Sequence, residues 1–138
     1  MSETGTGPVG VVLVSHSAAL ARATAELATG LAPGGGEVLI EAAGGTEDGA
    51  LGTSAALIVA AARAVDRGAG VAVLADLGSA VLTVKTLLAE EDELPPGTRL
   101  VDAPFVEGAV AAYVSAAAGA DLDGVAAAAA DAYAYRKV

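Results

Sequence analysis

From Val9 to Val14 the chain is apolar and largely β-branched without alternation, the pattern of a strand buried on both faces of a parallel sheet. Ser17 follows as a helix cap. Leu20, Thr24, Leu27 and Leu31 then recur at helical spacing and predict the buried stripe of a helix that Gly30 and Pro33 close. The cycle repeats with a strand expected over Val38–Ala42, the loop GGTEDGALG, and a helix turning Leu57, Ile58, Ala61 and Val65 inward. A third unit reads as a strand Val71–Leu74, a loop Ala75–Ser79, and a helix carrying Val81, Leu82 and Leu88 that ends in the acidic tail Glu90–Glu93. The fourth strand is short, near Arg99–Val101 after the turn PPG, and leads into a helix from Phe105 to Ala118. Asp121 caps a last Ala-rich helix reaching Tyr135.

Strands alternating with helices across short connections specify an α/β fold. The expected form is a doubly wound, mostly parallel four-stranded sheet of order 2-1-3-4 with helices on its faces. Residues 1–8 are mostly small or polar and read as a flexible leader before a single domain over 9–138. Gly34–Gly36 stands between a helix and the next strand, the opposite order to a phosphate-cradling loop, and is read as a linker.

Composition narrows the function. With 54% hydrophobic and 17% charged residues the chain can bury a core, which excludes the disordered class. A formal charge of −10 has the wrong sign for tracking nucleic-acid phosphates or an anionic membrane surface. Zero Cys and one His remove disulfides, thiolate zinc and multi-histidine metal sites, so no metal is expected. No apolar run approaches the about 20 residues that span a bilayer, and no signal peptide is read, so a cytoplasmic location without membrane insertion is expected.

In an open α/β sheet, ligands sit beyond the carboxyl ends of the strands, at the point where neighbouring connections leave toward opposite faces. For the order 2-1-3-4 that point lies between the first and third strands. It brings His16, the single imidazole, beside Asp76. A carboxylate accepting from Nδ1–H would fix the tautomer and leave the Nε2 lone pair free for attack at a helix N-terminus suited to anions. Taken singly, His16 also fits a satisfied structural histidine and Asp76 a turn residue before Gly-Ser. As a loop carboxylate, Asp76 is expected to matter little for stability. A hydrolase using Ser15 or Ser17 lacks a G-x-S-x-G elbow, and SHSAAL replaces the dinucleotide fingerprint after the first strand. The acidic run at 90–93 lacks the ligand spacing of a calcium loop. A receiver-like binding module would want an acidic pair after the first strand and a late lysine, whereas Ser-His-Ser stands there and Lys85 falls within a helix.

Together VVLVSHSAALA, GGTEDGALGTS and VAVLADLGSAV resemble the phosphoryl-donor subunits (DhaM) of phosphoenolpyruvate-dependent dihydroxyacetone kinases, themselves similar to the IIA domains of mannose-family phosphotransferase systems. The resemblance implies a homodimeric domain whose His16 accepts a phosphoryl group from the carrier HPr and passes it to ADP on the nucleotide-binding kinase subunit. It implies no cofactor on this chain, since the ADP and ATP stay on the partner. Asp76 then matches the aspartate bonded to the active imidazole and Ser79 the serine near the phosphoryl group. Helix amides after His16, beginning at Ser17, with the Gly78 amide and Ser79 hydroxyl, would supply donors for a transition state with charge on its equatorial oxygens. Gly45, Thr46 and Thr53 belong to a loop bordering the site. The nearest rival is a IIA domain of a mannose-type transporter, whose acceptor would be a IIB histidine.

Overall fold

The computed structural model describes residues 7–34 and 37–138. Their elements run in the order β1 (Gly10–Ser15), α1 (Ala18–Leu31), β2 (Ile40–Gly44), α2 (Ala55–Val65), β3 (Val71–Ala75), α3 (Gly78–Ala89), β4 (Thr98–Leu100), α4 (Phe105–Ala117) and α5 (Leu122–Asp131), closing with a 3-10 turn, Ala132–Ala134. The four strands are parallel and ordered β2-β1-β3-β4, as the alternation of patterns predicts.

Alternate residues of the two central strands serve opposite cores. Val11 and Leu13 of β1 with Ala72 and Leu74 of β3 pack under α1, α4 and α5, through Ala28, Ala109, Ala112, Val125 and Ala129. Val12 and Val14 with Val71 and Val73 pack on the other face against α2 and α3, through Ile58, Ala62, Ala80 and Val84. A strand so sandwiched can be apolar throughout, which is why it shows no alternation. The connection after β1 therefore leaves toward one face and that after β3 toward the other. A crevice opens between these neighbours at their carboxyl ends.

Several boundaries and faces differ from the sequence pattern. The strand expected over Val38–Ala42 forms over Ile40–Gly44, because Val11 pairs with Ile40 while Val38 is buried ahead of the ladder. On α1 the sheet-facing residues are Ala21, Thr24 and Ala28, whereas Leu20, Leu27 and Leu31 are 42%, 44% and 61% exposed. Small side chains let this helix lie close to the sheet, and the larger leucines are rotated off it. The same rotation on α3 buries Ala80, Val84 and Leu87 and exposes Leu82 and Leu88. The last α-helix stops at Asp131, short of Tyr135. Of the residues read as a leader, 1–6 lie outside the described residues, and the Gly7 amide donates to the Arg67 carbonyl at 3.0 Å. Gly35 and Gly36 of the expected linker also lie outside them.

Candidate functional site

The site is built where β1 and β3 end side by side. Val14 is paired with Ala75, and the Asp76 amide continues the ladder by donating to the Val14 carbonyl at 3.1 Å. Just past the end of each strand the side chains meet: His16 Nδ1 lies 3.0 Å from Asp76 Oδ1. Asp76 Oδ1 also accepts from the Leu77 amide at 2.7 Å, while Oδ2 accepts from the Ser15 hydroxyl at 2.7 Å and the His16 amide at 3.1 Å. The Asp76 side chain is 9% exposed and that of His16 23%, so the carboxylate is sheltered and the ring faces outward. Burial opposes the charge on Asp76, but the hydrogen bonds from Ser15, His16 and Leu77 outweigh it and hold the carboxyl below the ordinary carboxylate range.

An ionised carboxylate can only accept, so Nδ1 carries the proton, and in the neutral ring Nε2 is the acceptor. Its partner is the Ser79 hydroxyl. Ser79 and Gly78 open α3, whose N-cap position is Leu77; no side chain caps this helix. The first amides of a helix lack intrahelical partners, and here the helix opens at the serine that meets the outward ring nitrogen, a setting that favours an anion.

The other expected residues have definite places. The Ser17 hydroxyl caps α1 by accepting from the Leu20 amide at 3.1 Å, and its own amide donates to the Ser15 hydroxyl at 3.0 Å. Neither Ser15 nor Ser17 gives its hydroxyl to the His16 ring, so the hydrolase arrangement considered for them does not form. Gly45 and Gly52 clasp the chain around His16: the Gly45 amide donates to the Ser15 carbonyl at 3.0 Å and the Gly52 amide to the His16 carbonyl at 2.9 Å. Gly45 has φ +72°, a conformation that favours glycine. Thr46 ties the tip of the same loop, bonding the Asp48 carboxylate and accepting from the Ala50 amide at 3.0 Å. Thr53 lies further out, 3.0 Å from Thr83 Oγ1, and Thr83 donates to the Ser79 carbonyl at 3.0 Å. Thr53 thus reaches the site through α3.

Sequence reasoning missed Ser15 as part of the site, although it is fully buried and polar. Its signal was a polar residue ending an otherwise apolar buried strand. Among the described residues no group of three or more His, Asp or Glu could hold a metal ion, and no helix is long and apolar enough to cross a membrane.

The chain has clear counterparts among known proteins. The family model described as "PTS system fructose IIA component", the mannose-type enzyme IIA, matches residues 10–126. A phosphoryl-donor subunit DhaM of phosphoenolpyruvate-dependent dihydroxyacetone kinase from Pantoea ananatis is 42% identical over 85% of this chain, and its Escherichia coli counterpart 39% identical over 85%. The chain spans about a quarter of the length of these two, matching 25% of each. A DhaM of Listeria innocua is 37% identical over 77% of this chain and is itself 84% covered. A crystal structure of a protein of unknown function superposes with a TM-score of 0.76 at 33% identity, covering 90% of this chain and 94% of that one. The chain belongs to the mannose-type enzyme IIA family of phosphotransferase-system components. Its similarity to DhaM subunits bears out the resemblance carried by the three loop motifs.

Proposed function

We propose that this protein is a phosphohistidine carrier that takes a phosphoryl group from phospho-HPr onto Nε2 of His16 and delivers it to ADP held by the nucleotide-binding subunit of a dihydroxyacetone kinase. The observation that carries this reading is the 3.0 Å pairing of His16 Nδ1 with Asp76 Oδ1, which directs the ring lone pair outward. In the uptake step the phosphorus–nitrogen bond of the donor breaks as the Nε2 lone pair forms the new one, and the Nδ1 proton stays against Asp76. Ser79, whose hydroxyl meets Nε2 at rest, turns to the incoming oxygens together with the amides of Gly78 and Ser79. The amide of Ser17 is committed to Ser15 and its hydroxyl to the helix cap, so Ser17 supports this geometry from behind.

Delivery reverses the chemistry: a terminal phosphate oxygen of ADP attacks phosphorus, and Nε2 leaves with its lone pair. The nucleotide is a cofactor of the partner, and this chain binds none. The line Ser79–His16–Asp76 has the order of a hydrolytic triad, but the named relatives are phosphoryl donors, which favours phosphoryl over acyl chemistry. We also propose that the working unit is a homodimer and acts in the cytoplasm.

The test is label transfer from phosphoenolpyruvate through enzyme I and HPr. The wild-type chain should gain one acid-labile phosphoryl group, and His16→Ala should gain none while keeping its circular dichroism. Adding the ADP-loaded kinase subunit should drain the label. Label on His16→Ala would overturn the relay, and drainage only by a IIB domain would assign the protein to a sugar transporter instead.

A further inference from the structure

Ser15 ends β1 fully buried. Thr24, also buried and polar, spends its hydroxyl inside its own helix on the Leu20 carbonyl at 2.8 Å. Ser15 instead reaches across to the neighbouring strand end. Its oxygen accepts the Ser17 amide at 3.0 Å, and its proton goes to Asp76 Oδ2 at 2.7 Å. With a donor behind it and a carboxylate ahead, the hydroxyl has a single satisfied setting.

The consequence falls on Asp76. Each carboxylate oxygen has two donors: Oδ1 has the Leu77 amide and His16 Nδ1, and Oδ2 has the Ser15 hydroxyl and the His16 amide. Apart from the reacting histidine, Ser15 is the one side chain among them. Because it grows from a strand paired on both sides, it is held more firmly than a loop donor would be. Without it Oδ2 keeps only the backbone amide of His16, and the carboxylate gains freedom to turn Oδ1 away from the ring.

We propose that Ser15 is a positioning residue for phosphoryl transfer: by bridging the α1 entrance to Asp76 Oδ2 it fixes the carboxylate against Nδ1–H and so keeps Nε2 of His16 as the nucleophile. This rests on the carrier reading above, but its structural half concerns the ring tautomer and is measurable without any transfer.

The test compares the parent chain with Ser15→Ala, Ser15→Cys and Ser15→Thr by nitrogen NMR of His16 and by label uptake from phospho-HPr. The parent should show the Nδ1–H form. The Ala and Cys variants should show a tautomer mixture and a kcat lower by about 10-fold, with an unchanged KM for HPr, as expected when the support of a working histidine is removed. The Thr variant keeps a hydroxyl on a residue suited to a strand and should retain both parental properties. Ser15→Cys replaces the hydroxyl at similar volume and decides the matter if Ser15→Ala does not fold. A folded Ala or Cys variant with the parental tautomer and rate overturns the proposal, as does a folded Thr variant that loses them. If no form takes up label, the carrier reading fails, and the tautomer comparison still decides whether Ser15 positions the ring.

Discussion

Asp76 holds His16 at two points, the ring through Oδ1 at 3.0 Å and the backbone amide through Oδ2 at 3.1 Å. A single contact would leave the imidazole free to pivot about it. Two contacts from one carboxylate tie the ring direction to the direction of the chain leaving β1, and the ladder Val14–Ala75 fixes both chains relative to each other. The imidazole is thereby aimed by the sheet itself.

Asp76→Asn should slow label uptake and, contrary to the expectation for a loop carboxylate, also destabilise the protein, because the side chain is sheltered and fully hydrogen-bonded. All four donors converge on the carboxylate, so an amide placed in either orientation sets its NH₂ against an N–H or the Ser15 hydroxyl. An unsatisfied buried donor costs about 1–3 kcal/mol. We expect an unfolding free energy from urea titration lowered by that amount, with a correspondingly lower midpoint, and a mixed His16 tautomer by nitrogen NMR. An unchanged midpoint with an unchanged transfer rate would reduce Asp76 to a turn residue.

Acid should act on the same carboxylate. Its folded pKa is depressed, so its stabilisation is present above the unfolded value of about 3.9 and is lost as pH falls through the folded value. Urea unfolding followed downward through that window should show the parent losing stability more steeply than Asp76→Asn. Asp48 and Glu107, also held low, are common to both proteins and cancel in the comparison. Parallel curves would show that the hydrogen bonds at Asp76 contribute nothing to folding.

Gly44 is the residue opposite Ser15 in β2, and a Cβ there would stand 2.5 Å from the Ser17 carbonyl and 2.7 Å from Ala18 Cα. Both obstacles are backbone at the start of α1, so Gly44→Ala should cost about 1–3 kcal/mol by overpacking. It should also slow uptake, because it displaces the Ser17 amide that supports Ser15. Gly30 in α1 has nothing within 4 Å of its Cβ position, and Gly30→Ala should stabilise by about 0.5–1 kcal/mol with transfer unchanged. Denaturation midpoints and uptake rates of the pair check both.

The placing of β1 beside β3 was legible because a buried apolar strand followed by a capped helix allows few topologies, and the switch point follows from strand order. His16 and Asp76 stood out there as the ionisable residues just past each strand. Ser15 did not, because a serine next to a histidine in sequence reads as part of the same strand end, and its reach to a residue 61 positions away exists only after the strands pair. The α1 stripe misled for a related reason. Leucines mark helical periodicity, but the distance between helix and sheet is set by Ala21, Thr24 and Ala28, which hydrophobicity alone ranks below them.

The leucines left outside lead to the last prediction. Leu27 and Leu31 of α1 border a groove with Val106, Val110 and Val114 of α4 and Tyr135, and Leu31 and Tyr135 are 61% and 56% exposed. Such a contiguous apolar face points to a partner surface. The sheet edges are poorer candidates, since β2 turns out Glu41 and β4 carries Arg99, which pairs with Asp123 at 2.7 Å. We therefore expect a homodimer joined through α1 and α4. Leu31→Glu places a charge on a residue that the isolated chain leaves in water, so it should fold normally and sediment as a monomer where the parent sediments as a dimer. Its label uptake should persist, because α1 separates Leu31 from the His16 end by about 20 Å at the helical rise per residue. A dimer surviving Leu31→Glu would move the interface elsewhere, and a fully active parental monomer at micromolar concentration would remove the dimer altogether.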